Sequence, residues 1–192
     1  EHYEIIFMAV FVILVILLVL YIVHENYRRD QELMKYAQTD ALTGLYNKET
    51  TKLRTDEILS TDKDMIHAFL ILDMDCFKQI NDGYGHAVGD IVLQKFGQLL
   101  RDIFREDDIV GRIGGDEFVV VMKNVKMKEM AIAKAEELLT KTQQYEIKEL
   151  NGSAISISIG IAMAPEDGDC YMDLYKRADQ ALYQAKRSGK AR

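Results

Sequence analysis

Two apolar runs, Ile109-Val110-Gly111-Arg112-Ile113 and Phe118-Val119-Val120-Val121-Met122, enclose Gly114-Gly115-Asp116-Glu117. The pattern predicts a β-hairpin with two glycines and two carboxylates at its tip. Adjacent acids repel at short range unless water or a cation lies between them. Glycines, lacking Cβ, allow a backbone or ligand to come close. A divalent cation carrying a phosphate suits such a tip; a solvated turn is the plainer alternative.

A second acidic strand end lies upstream. His67–Leu72 is a short apolar run that stops at Asp73-Met74-Asp75. Continuous apolar strands are buried on both faces, in mid-sheet under helices. Asp73 and Asp75 lie two apart and face one side of an extended chain. Beside the hairpin tip they would complete an oxygen cage suited to Mg²⁺, which favours a few carboxylates, retained water and substrate phosphate. Asp75 has the alternative of capping the next turn. The segment Phe77–Asp90 is rich in turn formers and leads into an amphipathic helix, Ala87–Phe104. Within it, Asn81 and Asp90 have the chemistry to read a purine edge: guanine offers N1–H and N2–H donors to a carboxylate, and adenine offers no such pair. Lys78 supplies a point charge for phosphate.

Five blocks in order carry a resemblance to the GGDEF family of diguanylate cyclases. They are Asp40-Ala41-Leu42-Thr43-Gly44-Leu45-Tyr46-Asn47; Leu72-Asp73-Met74-Asp75-Cys76-Phe77-Lys78 with Asn81-Asp82, Gly85-His86 and Gly89-Asp90; the hairpin itself; Ser158-Ile159-Gly160; and Ala178–Lys186. The resemblance implies condensation of two GTP into cyclic di-GMP with release of two pyrophosphates. It implies a palm-like fold and two Mg²⁺ per active site, with Mn²⁺ as a substitute. By position it implies metal binding by Asp73, the Met74 carbonyl, Asp116 and Glu117, with Asp116, Glu117 and Arg112 as the catalytic set and Arg112 stabilising the transition state. It places guanine on Asn81 and Asp90, and phosphates on Lys78, Lys186, Lys190, the backbone around Cys76 and Phe77, and the Gly114–Gly115 turn. Relatives that accept ATP tend to carry serine in place of Asp90, so its presence favours GTP. Lys48 and Lys190 stand where the family usually has arginine, and the bidentate fork is lost there. Arg105 and Asp108 match the family's inhibitory product site, Arg-x-x-Asp; an exposed ion pair is the alternative reading. Because each domain binds one GTP, the resemblance implies a two-fold homodimer. The family also continues into a short final strand, which this chain, ending at Arg192, is expected to lack.

Ile5–Val23 is apolar, uncharged and long enough to span a bilayer as a helix. A signal peptide would need a basic start and a small-residue cleavage site, whereas Glu1 and Glu4 precede this run. Arg28, Arg29 and Lys35 follow it, so a single span in the cell's inner membrane would leave the remainder cytoplasmic. Residues 1–23 are therefore expected to be a membrane helix, 24–39 a helical linker (coiled coil or passive tether), and 40–192 the catalytic domain, with a sensor expected upstream. The net charge of −7 disfavours nucleic acid as partner. Cys76 and Cys170 have no metal-ligand spacing.

The expected fold is an α/β (α+β) sandwich: a mostly antiparallel central sheet flanked by helices. Expected elements are helix Lys48–Leu59, strand His67–Leu72, helix Ala87–Phe104, the hairpin, helix Lys126–Tyr145, strand Ser153–Ala164 and helix Tyr171–Lys186. The leading function is a diguanylate cyclase. The alternative is a catalytically silent domain that senses GTP or cyclic di-GMP; a generic nucleotide-cyclase palm is disfavoured by Asn81 and Asp90.

Overall fold

The computed structural model describes residues 3, 8, 13–26, 28, 38–187 and 189, in two compact units, 1–38 and 39–192. In the first unit residues 13–26 are helical, and the apolar side chains from Ile13 to Val23 are exposed. Among the described residues no helix is long and apolar enough to cross a membrane. The expected span lies partly outside them, as do most of the expected linker and Lys190.

The second unit contains α1 (Lys48–Thr61), β1 (His67–Met74), α2 (Phe77–Tyr84), α3 (His86–Ile103), β2 (Ile109–Gly114), β3 (Glu117–Met122), α4 (Lys128–Gln144), β4 (Glu146–Ile147), β5 (Ser153–Ala154), β6 (Ile157–Ala164) and α5 (Tyr171–Arg187), with a 3₁₀ turn at Lys148–Leu150. The main sheet has the order β2-β3-β1-β6 with every pairing antiparallel. The expected α+β sandwich is thus the observed one.

β1 is buried along its whole length, as its unbroken apolar run requires. Its alternation separates two cores. Ala68, Leu70, Leu72 and Met74 pack with Phe96, Leu100 and Leu138, from α3 and α4. Phe69 and Ile71 pack with Leu59, Leu174, Ala178 and Leu182, from α1 and α5. β3 alternates in step: Phe118 and Val120 join the first core, Val119 and Val121 the second. By the same alternation Asp73, in step with Phe69 and Ile71, and Glu117, in step with Val119 and Val121, fall on the α5 side.

Three local outcomes differ from the sequence expectation. The turn-rich stretch after β1 is helical over Phe77–Tyr84, although Asn81, Asp82 and Gly83 are weak helix formers. Phe77 and Ile80 pack on the first core, so tertiary burial overrides propensity. The expected strand Ser153–Ala164 is broken after Ala154, where the Ser156 carbonyl accepts from the Asp75 amide at 2.9 Å and its hydroxyl donates to Asp75. β5 then pairs with β4 in a separate ribbon.

A carboxylate cluster at the end of the central strands

Asp73 and Glu117 are register partners across β1 and β3. Gly114 pairs with Glu117, which makes Gly115-Asp116 the two-residue turn of the hairpin. That turn is tied to β1 because the Met74 amide donates to the Asp116 carbonyl at 3.3 Å. Lys186, near the end of α5, places Nζ 2.6 Å from Asp73 Oδ1. α5 comes this close because β6 carries Gly160 beneath it: a Cβ there would lie 2.0 Å from the Ala178 carbonyl oxygen and 2.6 Å from the Leu182 amide.

The electrostatics follow from crowding. Burial raises the Asp73 carboxyl above its ordinary value; Lys186 opposes this, while Asp116 and Asp75 add to it. Burial likewise raises Glu117, reinforced by Asp73 and Asp116. Partly buried carboxylates that repel one another favour a bound cation. Here the Lys186 ammonium takes that place on Asp73. Asp73 and Glu117 on neighbouring strands and Asp116 at the turn are hard-oxygen groups of the chemistry that Mg²⁺ takes. A cavity of about 940 Å³ opens beside them, lined by Glu117, Asp179, Tyr183, Lys186 and Arg187.

Not every expected residue joins this group. Asp75 turns away: its carboxylate accepts from the hydroxyls of Ser156 at 2.6 Å and Ser158 at 2.8 Å, and it is 8% exposed. The N-cap residue of α2 is Cys76, with left-handed backbone. Arg112 donates through Nε and Nη2 to the Gly115 carbonyl at 3.0 and 2.8 Å. Its Nη1 lies 3.1 Å from both carboxylate oxygens of Asp40. Arg112 therefore braces the turn. Asp40 in turn accepts from the Thr43 amide and hydroxyl, at 2.8 and 2.7 Å. The Asp40-x-x-Thr43 spacing was the available signal for this turn; the partner 72 residues away was not readable from it.

Asn81 on α2 is half-buried and Asp90 on α3 is exposed; Gly85, at φ +86°, joins the two helices. Lys78 is exposed on α2. Arg105 and Asp108 lie at the other end of β2, lining a cavity of about 370 Å³ with Tyr46 and Phe104. Asp108 accepts from the Arg105 amide at 3.0 Å and the Lys123 amide at 3.1 Å, so it also holds the start of β2 in place. The most compact donor group among the described residues is elsewhere, where α5 begins: Asp169, Cys170 and Asp173. There the Cys170 thiol donates to the Asp173 carboxylate at 3.3 Å.

Residues 37–192 match the family model described as diguanylate cyclase, GGDEF domain. The chain belongs to the GGDEF family. This GGDEF chain is 36% identical over 168 residues to diguanylate cyclase DgcS of Shewanella oneidensis, covering 86% of its own length and 55% of that relative's. It spans less than two thirds of the curated relatives it resembles, 22% in another case. Among solved structures, the GGDEF domain of YfiN (TpbB) from Pseudomonas aeruginosa superposes with a TM-score of 0.74 at 36% identity, over 80% of this chain and 91% of that one. The coiled coil and GGDEF domain of DgcB from Caulobacter crescentus, solved with cyclic di-GMP, gives a TM-score of 0.80 at 25% identity, over 88% and 91% of the two chains.

Proposed function

We propose that the domain is a Mg²⁺-dependent diguanylate cyclase that works as a dimer. The observation that supports this most is the pairing of Asp73 with Glu117 across the sheet, with Lys186 bound to Asp73 at 2.6 Å. In this reading Asn81 and Asp90 hold guanine. Lys78, Lys186, Lys190 and the amides that open α2 at Cys76 and Phe77 receive the triphosphate. Gly114 and Gly115 keep the turn open beside it. Asp73, the Met74 carbonyl, Asp116 and Glu117 would hold two Mg²⁺. Bound there, the metal would supply charge neutralisation and an acidified hydroxyl. Lys186 would exchange Asp73 for phosphate. The 3′-oxygen of one GTP forms a bond to the α-phosphorus of the other, and the bond to the β-phosphate bridge breaks with pyrophosphate leaving. The hydroxyl proton passes to a carboxylate oxygen of Asp116 or Glu117. Arg112, engaged with Gly115 and Asp40, contributes by fixing the turn.

Two domains must face each other for both bonds to form, which a two-fold dimer provides. Cyclic di-GMP is proposed to return to Arg105 and Asp108 as inhibitor. The uncharged run Ile5–Val23, followed by Arg28, Arg29 and Lys35, supports a single membrane span with the enzyme on the cytoplasmic side.

The test is incubation of the purified chain in detergent micelles with Mg²⁺ and GTP, followed by chromatography of the nucleotides. Cyclic di-GMP is expected from the wild type. Glu117→Gln should lower the rate by at least roughly a hundredfold, as loss of a transition-state charge partner does, while leaving the melting curve intact. Synthesis undiminished in that variant would sink the metal assignment.

A further inference from the structure

In the proposed reading the carboxylate cluster, the lysines and the opening of α2 handle metal and phosphate, whereas the base edge is read by Asn81 further along α2 and by Asp90 on α3. Between the two readers of that edge sits a glycine whose presence the backbone does not explain. Gly89 lies within α3 with no left-handed torsion, and it is buried. In a helix interior glycine is less favourable than alanine. A Cβ placed on it would stand 2.0 Å from Asn81 Oδ1, 3.1 Å from Asn81 Cγ and 3.3 Å from Phe77 Cζ. The first distance is far inside van der Waals contact. The Asn81 amide therefore occupies the volume that any side chain at position 89 would need. Asp90 follows Gly89 directly in the chain.

We propose that Gly89 is a specificity-determining positioning residue, which gives up its own side-chain volume to seat the Asn81 amide beside the Asp90 carboxylate so that the two read one guanine edge. The inference rests on the reading of GTP as substrate. Asn81 is short and its amide is the group in contact, so a methyl at position 89 displaces the amide rather than the helix. The fold survives and base recognition suffers. The phosphate tail, held elsewhere, is untouched.

The experiment measures calorimetric binding of the non-cleavable α,β-methylene analogues of GTP and ATP, with Mg²⁺, to the full chain in micelles. Wild type, Gly89→Ala, Asn81→Ala and the double variant are compared. Gly89→Ala is expected to weaken the GTP analogue roughly tenfold, the scale of a lost base hydrogen bond, and to leave the ATP analogue unchanged. Its melting temperature should not fall, because alanine suits a helix better. Added to Asn81→Ala, it should cost nothing further, since the truncated side chain has vacated the contested volume. Unchanged GTP-analogue binding in Gly89→Ala overturns the proposal. So does an equal loss for both analogues, or an additive double variant with lowered melting, either of which marks a purely structural glycine. A wild type that fails to prefer the guanine analogue overturns the GTP reading itself, and the inference with it.

Discussion

At the scale of single residues, the carboxylates of this domain divide by the company they keep. Burial and neighbouring carboxylates raise Asp73 and Glu117 above their ordinary values, while Asp40 is held below its ordinary 3.8. Burial would raise Asp40, but the Thr43 hydroxyl and amide and the Arg112 guanidinium outweigh it. A carboxyl depressed by folding stabilises the fold above its unfolded value, and that contribution disappears as the pH falls through the folded value. Asp40→Asn should therefore lose about 1–2 kcal/mol at neutral pH, the range of a charge-assisted hydrogen bond. Urea unfolding from pH 7 down to pH 3 checks this: the gap between variant and wild type should narrow once the pH drops below 3.8. A gap that stays constant would mean that the Thr43 and Arg112 partners together give the ionised Asp40 no net preference for the folded state. The same substitution also loosens the Gly115 turn through Arg112, so GTP turnover should fall in the intact protein at neutral pH.

At the scale of elements, the site depends on how closely α5 approaches the sheet. Lys186 reaches Asp73 only because Gly160 lets the backbone of α5 come down onto β6. The atoms a Cβ would meet there are main-chain atoms of α5, which cannot swing aside as a side chain can. Gly160→Ala should force the helix outward, costing about 1–3 kcal/mol as overpacking does. Synthesis should fall further than stability alone explains, because Lys186 and the cavity wall at Asp179 and Tyr183 move together. Denaturant melts and steady-state rates on the same preparation separate the two effects. A variant of normal stability and full activity would show that α5 has slack the packing does not reveal.

At the scale of the whole molecule, the proposed chemistry needs two copies. The rate per domain should rise with protein concentration and saturate when the dimer is complete, which a dilution series in constant detergent measures. A rate per domain independent of dilution, in a protein shown by light scattering to be monomeric, would remove the dimer from the mechanism. The proposed product inhibition belongs to the same scale, since Arg105 and Asp108 stand at the opposite end of β2 from the hairpin turn. Arg105→Ala should lift an early plateau in cyclic di-GMP with little change in the initial rate. Asp108→Ala is the poorer probe, because it also strips the acceptor from the Arg105 and Lys123 amides and should destabilise the domain.

What the chain determines by itself is local and periodic. The apolar run of β1, its stop at Asp73, the hairpin with its glycines and acids, and the amphipathic face of α3 were legible because burial and turn chemistry act on neighbouring residues. Even the facing of Asp73 follows from counting by twos along β1. Tertiary structure alone decided where Asp75, Arg112 and residues 77–84 belong. Asp75 pairs with serines more than 80 residues away, Arg112 with an aspartate 72 residues away, and α2 forms against its own propensity because Phe77 and Ile80 find a core. Local sequence carries no record of such partners. A buried carboxylate or guanidinium is satisfied by whichever group the packed fold brings within hydrogen-bonding distance, and that distance exists only once the sheet has formed.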